Sequence, residues 1–278
     1  MRIDAHQHFW VVERGDYGWL TPDLTALYRD FAPSDLMPLL VDQGIDGTVL
    51  VQAAPTVAET HYMLQLADAH DEIKGVVGWV DFEAADGPDV IAELAQHPKL
   101  VGLRPMIQDI ADDDWMLGAA LTPAFQAMVQ ADLVFDALTL PRHLANLETL
   151  LVRHPDLSVV IDHGSKPEIA QNGFDRWAPA MARLAANTSA KVKLSGLVTE
   201  AGAEWTTEDL RPYVDHLLGT FGPARMIWGS DWPVCTQASS YARWCDTTEL
   251  LLNSLTSDDT AAFMGRNAID TYKLDISA

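Results

Sequence analysis

Cysteine is nearly absent from this chain. Cys235 and Cys245 are the only two in 278 residues, and neither belongs to a CxxC pair. Disulfides therefore do not hold the fold, and a reducing cytoplasm is the expected compartment. Positive charge is scarce too: 18 Lys and Arg stand against 40 Asp and Glu, a formal net charge of −22. That balance repels phosphate backbones and anionic lipid, so it argues against nucleic-acid and membrane partners and for a neutral or cationic small molecule. No apolar run reaches the roughly 18–20 residues of a membrane span. No signal peptide precedes the first ordered-looking segment, which Met1-Arg2-Ile3-Asp4 enters directly. Linkers rich in serine and glycine, low-complexity tracts and internal repeats are also missing. So are the GxSxG, P-loop and GxGxxG signatures.

What is present is a regular alternation of element signals. Eight apolar or β-branched runs stand out: Arg2–Phe9, Gly47–Gln52, Gly75–Phe82, Leu100–Met106, Leu133–Leu140, Ser158–Gly164, Ala190–Leu197 and Arg225–Pro233. Several are continuously apolar, as in Thr48-Val49-Leu50-Val51, which is the pattern of parallel strands buried on both faces. Helical patterns fill the intervals, near 57–71, 87–96, 122–131, 142–154, 173–187 and 246–266. One begins at a Ser34-Asp35 cap and ends at Gly44, and another begins at a Thr206/Asp209 capping box. Eight βα units in a chain of this length predict a single (β/α)8 barrel domain over residues 1–278. A doubly wound sheet would place a glycine-rich phosphate loop after the first strand, where this chain has Asp4-Ala5-His6-Gln7-His8.

The chemistry-bearing residues cluster at strand ends. Strand alternation puts Asp4, His6 and His8 on one face and Ile3, Ala5 and Gln7 on the other. Facing the axis, His6 and His8 would converge on one metal ion or one substrate oxygen at the C-terminal mouth, where active sites of this fold lie. A hydrogen-bonded histidine pair at the rim is the structural alternative. At the eighth strand, Ile227, Gly229 and Asp231 share a face, which aims a carboxylate at the same mouth. It could bind a metal or take a proton from water, or merely cap the turn with Trp232 as packing. At the sixth, Val159, Ile161 and His163 share the expected inner face. Arg104, ending the fourth, would grip a substrate oxygen or pair with a carboxylate such as Asp136. Polar residues at so many strand ends (His6, His8, Gln52, Asp81, Arg104, Asp136, His163, Ser195, Asp231) are hard to explain by stability, and they point to an enzyme. The long stretch from Phe9 to Pro33 carries Trp10, Tyr17, Trp19, Tyr28 and Phe31. It is expected to fold over the mouth, with aromatic faces that stack on a sugar ring or anchor the loop. The acidic run Asp109 to Asp114 reads as a solvated face, and nothing marks Cys235 as a nucleophile.

Six segments together carry a resemblance: Ile3-Asp4-Ala5-His6-Gln7-His8-Phe9-Trp10, Tyr17-Gly18-Trp19-Leu20, Gly102-Leu103-Arg104-Pro105, Asp162-His163-Gly164, Lys193-Leu194-Ser195-Gly196-Leu197 and Gly229-Ser230-Asp231-Trp232-Pro233. They run nearly end to end, and the chain resembles the lactonase-like branch of the amidohydrolase superfamily. That branch includes L-fuconolactone and L-rhamnonolactone hydrolases and pyrone-dicarboxylate hydrolase. The resemblance implies a metal held by His6, His8, His163 and Asp231. It implies one Zn²⁺ or another divalent ion, or a metal-independent version of the same site, because some members of the branch need no metal. The fifth strand departs from the pattern: Val134-Phe135-Asp136-Ala137 has no histidine. The fourth lacks a bridging Lys or Glu, so a two-metal site is not expected. The implied activity is hydrolysis of a small lactone, with Asp231 as general base and His163, His6 and His8 in the catalytic group. Arg104, Trp10, Trp19 and Trp232 are the expected substrate contacts. A neutral aldonolactone fits the charge better than a pyrone dicarboxylate, whose dianion would want several arginines where only Arg104 and Arg142 stand near a strand end. A metal-dependent decarboxylase on the same barrel and an inert sugar-binding protein are the other readings. Sequence alone leaves oligomeric state open.

Overall fold

The continuous apolar runs form buried parallel strands in the computed structural model, which describes residues 1–276. The strands are β1 (Ile3–Gln7), β2 (Gly47–Val51), β3 (Ile73–Gly78), β4 (Leu100–Leu103), β5 (Val134–Ala137), β6 (Val159–Ile161), β7 (Lys191–Leu194) and β8 (Met226–Trp228). They pair in sequence order, each parallel to the next. Closure of β8 onto β1 is made just beyond the strand ends, where Asp231 N–H donates to the His6 carbonyl (2.8 Å) and His8 N–H to the Trp232 carbonyl (2.8 Å). The result is the expected (β/α)8 barrel.

Helices α1 (Pro33–Gln43), α2 (Val57–Ala69), α3 (Gly87–Leu94), α4 (Thr122–Gln130), α5 (Leu144–Arg153) and α6 (Phe174–Asn187) follow β1 to β6 in turn. After β7 come α7 (Leu197–Ala201) and α8 (Thr207–Phe221), and after β8 comes α9 (Tyr241–Leu251). Each buries an apolar stripe on the sheet: in α6 the positions are Trp177, Met181, Leu184 and Ala185, the spacing of one helix face. The cap of α1 differs from expectation. The N-cap is Ala32, whose N–H donates to Asp35 (2.9 Å), while Ser34 lies inside the first turn after Pro33. Thr206 and Asp209 do cap α8, and Gly44 does end α1. The single helix expected over 246–266 is instead three pieces: α9, α10 (Ser257–Ala261) and a π-helical turn at 262–266 that runs into α11 (Asn267–Tyr272).

Side chains divide cleanly between two layers. Leu50, Val76, Leu103, Phe135, Ile161, Val192 and Trp228 pack outward against the helices. Ile3, Ala5, Val49, Val51, Val77, Val134, Val160 and Ile227 meet one another inside the barrel, and α11 closes its lower end with Ala268 and Tyr272. This partition corrects two expectations. Asp4 points outward, accepting hydrogen bonds from Tyr241 of α9 (3.0 Å) and the Ser230 N–H (2.8 Å), whereas Ile3 and Ala5 point inward. The cause is an irregularity in β1 between Asp4 and Gln7, which spends one residue more than β2 opposite it and resets the alternation before His6. In β6 the inner residue is Val160, and Val159 and Ile161 face the helices.

Candidate active site

Above the apolar floor the barrel carries a fully buried ionic layer. Lys193 of β7 extends inward, 2.5 Å from Asp136 and 3.1 Å from Asp162. Arg104, just past β4, lies 3.5 Å from Asp162 and donates to the Gln52 carbonyl. Its carboxylate partner is therefore Asp162 rather than Asp136. Burial works against charge on Asp162, but Lys193, His6 and Arg104 outweigh it and hold its carboxyl well below the ordinary range. Asp136 is pushed upward by burial, which Lys193 offsets only in part. Tyr272 reaches up from α11 and donates to both oxygens of Asp136, at 2.9 and 3.0 Å.

The next layer is the mouth, and here His6, His8, His163 and Asp231 come together. The Nε2 atoms of His8, His6 and His163 lie 3.3, 3.8 and 3.9 Å from Asp231 Oδ1. His8 Nδ1 is 2.8 Å from the Val51 carbonyl, which can only accept, so Nδ1 carries a proton, and Nε2 lies against Asp231. His6 Nδ1 faces Asp162 at 3.3 Å, and its Nε2 lies 3.3 Å from an Arg104 guanidinium N–H. His163 Nδ1 is paired with the Ser195 hydroxyl at 2.8 Å. Burial pushes His6 well below its ordinary value and His163 down to about 4, so both are neutral at pH 7. Burial opposes ionisation of Asp231, but the imidazoles of His163, His8 and His6 outweigh it and lower its carboxyl. The neutral imidazoles of His6 and His163 with the Asp231 carboxylate form a donor set suited to a divalent cation, and His8 stands beside them on Asp231. The candidate atoms of His6, His163 and Asp231 all lie within 4.8 Å of one another.

Irregular backbone, rather than strand alternation, aims these groups. Asp231 and His163 both adopt left-handed conformations, with φ of 57° and 53°. That turn swings His163 back over the axis, although its neighbour Asp162 already points inward. A Cβ at Gly196 would lie 2.6 Å from His163 Nδ1, so only glycine lets the imidazole sit where Ser195 can hold it.

A cavity of about 230 Å³ opens above this group. Trp19, Leu24, Met106 and Leu138 supply apolar walls, and Arg104, Gln108, Lys166 and Gln237 polar ones. Trp19 is fixed by its indole N–H on the Ala53 carbonyl (2.7 Å). Trp10 and Trp232, the other two tryptophans expected to touch substrate, are buried in an aromatic cluster with Phe9 and Phe31 and do not line this cavity. Tyr17 is buried beside Trp10, whereas Tyr28 is exposed. Asp81 lies past the end of β3, exposed, and caps a local turn through the Glu83 N–H. Cys235 is fully buried and its thiol is pushed far up by that burial, which keeps it inert. Sequence reasoning missed Lys193, Asp162, Gln108 and Lys166. Lys193 did leave a signal: a charge inside the apolar run Val192-Lys193-Leu194 must find a buried partner.

The chain is 45% identical to L-fucono-1,5-lactonase of Burkholderia ambifaria over 280 residues, covering 99% of this chain and 96% of that one. It is 37% identical to L-fucono-1,5-lactonase of Burkholderia multivorans, covering 99% and 96%. A crystal structure of an amidohydrolase from Burkholderia multivorans with bound zinc superposes with a TM-score of 0.92 at 35% identity, covering 99% and 100%. The amidohydrolase family pattern matches residues 3–274, so the chain belongs to the amidohydrolase family.

Proposed function

We propose that this amidohydrolase opens the ring of a neutral sugar lactone, with L-fucono-1,5-lactone as the leading substrate and Asp231 as the group that moves the proton. The observation that carries the reading is the convergence of three imidazole Nε2 atoms on Asp231 Oδ1, with His8, His163 and Asp231 themselves lining a cavity of about 230 Å³. The 45% identity to a lactonase over 99% of the chain supports the substrate class. Charge supports its neutrality. The two cations at the cavity, Arg104 and Lys166, are already paired with Asp162 and Glu200. Arg142 lies outside it on Asp113. A dicarboxylate would bring two charges to a cavity where Arg104 is held on Asp162 and a single lysine, Lys166 on its longer pair with Glu200, is left to meet them. Trp19, Leu24, Met106 and Leu138 offer apolar surface to the C–H faces of a deoxy-sugar ring.

His6, His8, His163 and Asp231 would hold a divalent ion, for which zinc is the first candidate. The chemistry supplied by such an ion when bound is polarisation of the lactone carbonyl and acidification of a nearby water. The chain's own groups account for the rest. Asp231, ionised at neutral pH, accepts a proton from the water whose oxygen attacks the carbonyl carbon. Negative charge develops on the carbonyl oxygen; Arg104 at the cavity floor is placed to donate to it, and so is His163 when its Nε2 carries a proton instead of holding an ion. When the carbon–ring oxygen bond breaks, Asp231 returns the proton to that oxygen, leaving a hydroxy acid that loses its acidic proton to solvent. Trp19 and Leu24 cover one side of the cavity and limit access of bulk water.

A pH-indicator screen of aldonolactones tests this. Acid release is expected from L-fucono-1,5-lactone, with a fall on treatment with chelator and recovery on adding Zn²⁺. Asp231→Asn is expected to lower kcat/KM by about 10³-fold. Turnover confined to a pyrone dicarboxylate, or an Asp231→Asn variant within about tenfold of wild type, would overturn the proposal.

A further inference from the structure

The segment after β6 is the most strained in the described chain. His163, Gly164, Ser165 and Lys166 all have positive φ (53°, 56°, 61° and 49°), and three of the four are not glycine. A left-handed conformation is costly for a side-chain-bearing residue, and it persists only where its surroundings enforce it. Here the surroundings do so. The Trp177 indole donates to the Gly164 carbonyl (2.7 Å), the Ser165 and Thr139 hydroxyls pair (2.8 Å), and Lys166 N–H donates to the His163 carbonyl (2.9 Å). That last bond closes an i to i+3 turn, in which residues three apart stand on the same side. Both His163 and Lys166 consequently line the cavity. Orienting His163 alone does not require the turn to continue through residue 166.

Lys166 differs from the other cation of the cavity. Arg104 is held on three sides, by the Gln52 carbonyl, Asp162 and His6. The side chains of Lys166 and Glu200 are each about a quarter exposed, and the Lys166 ammonium has Gln108 Oε1 at 3.1 Å and Glu200 at 3.4 Å as partners. A long ion pair at partial exposure exchanges partners at little cost. Lys166 also lines a second cleft, of about 690 Å³, where Arg142 and Arg176 stand beside Glu168 and Glu200 and are themselves paired with Asp113 and Glu168. Lys166 is the one residue that lines both the cavity and this cleft.

On the lactonase reading above, a neutral ring enters and a carboxylate is made. We infer that Lys166 is the binding contact for that new carboxylate, exchanging Glu200 for it. Neutral lactone gives the ammonium nothing to gain by leaving Glu200, whereas the ring-opened acid does. The contact therefore discriminates product from substrate.

The test is titration calorimetry with L-fuconate, the acid formed from L-fucono-1,5-lactone, on the protein as purified. Lys166→Met is expected to weaken L-fuconate binding about tenfold or more, and Lys166→Arg to restore most of it. Glu200→Gln, which removes the resident competitor, is expected to tighten it severalfold. Equal weakening in Lys166→Met and Lys166→Arg, no change in Lys166→Met, weaker binding in Glu200→Gln, or no L-fuconate binding by wild type would each overturn the assignment. Wild-type hydrolysis of the lactone alongside any of these results leaves the activity standing and removes only the role of Lys166. Absence of hydrolysis removes the reading beneath it.

Discussion

Gly229 and His6 meet where the last strand closes on the first. A Cβ at Gly229 would lie 2.6 Å from the Cβ of His6 and 3.0 Å from its backbone nitrogen. Any side chain there must push β1 aside, and β1 carries two of the converging imidazoles. Gly229→Ala is expected to lower unfolding free energy by about 1–3 kcal/mol, the usual range for overpacking. It is also expected to cut kcat/KM on the lactone by about tenfold or more, because small misplacements of reacting groups are costly. Urea unfolding and steady-state kinetics on the same preparation check both. A variant retaining wild-type kinetics would show that His6 tolerates displacement. In the sequence this glycine was visible as part of Gly229-Ser230-Asp231-Trp232-Pro233, but the clash that demands it belongs to a contact between residues near opposite ends of the chain.

The loop between β1 and α1 is held by one buried carboxylate. Glu59, in the first turn of α2, accepts from the Tyr17 hydroxyl (2.8 Å) and the Ala53 N–H (3.3 Å), with Arg14 at 3.3 Å. It therefore ties the loop that bears Trp19 and Leu24 to Ala53, all three at the cavity wall. Burial raises the Glu59 carboxyl from 4.5 to about 7. Between those values the folded chain holds a proton that the unfolded chain has lost. The stability carried by this group is present below pH 4.5 and disappears as pH rises through 7. Wild type is thus expected to lose a few kcal/mol relative to Glu59→Gln between pH 4.5 and 7.5, since glutamine stays neutral throughout. Unfolding free energies of the two proteins across that range provide the check, and parallel curves would rule the effect out. The long aromatic stretch was legible as a loop. Which of its rings reach the cavity was not, because Trp10 and Trp19 share a composition and differ only in where the folded loop puts them.

Across the whole molecule the barrel is stacked in layers: an apolar floor, the Asp136–Lys193–Asp162 ionic layer, then the imidazole mouth. The C-terminal helix α11 belongs to this stack through Tyr272, whose ring joins the floor and whose hydroxyl serves Asp136. Tyr272→Phe leaves the apolar packing and removes that donor. It is expected to destabilise the fold by about 1–2 kcal/mol, seen as a lower urea midpoint with an unchanged m-value. An unaltered midpoint would mean that Lys193 alone satisfies Asp136. This tie escaped the sequence because Tyr272 and Asp136 are far apart in the chain, and α11 follows a π-helical turn that interrupts the helical pattern.

The sequence by itself determined the alternation of eight strands with helices, because runs buried on both faces and amphipathic stripes are local patterns. It also marked His6, His8, His163 and Asp231, since polar groups at the ends of apolar strands have few structural uses. Only the tertiary structure decided how they face. Period-two alternation assumes a regular backbone, and β1 breaks it between Asp4 and Gln7, while His163 and Asp231 leave it through positive φ. Those departures are enforced by closure of β8 on β1 and by packing around the turn after β6. They depend on partners distant in the chain, and no local pattern encodes them.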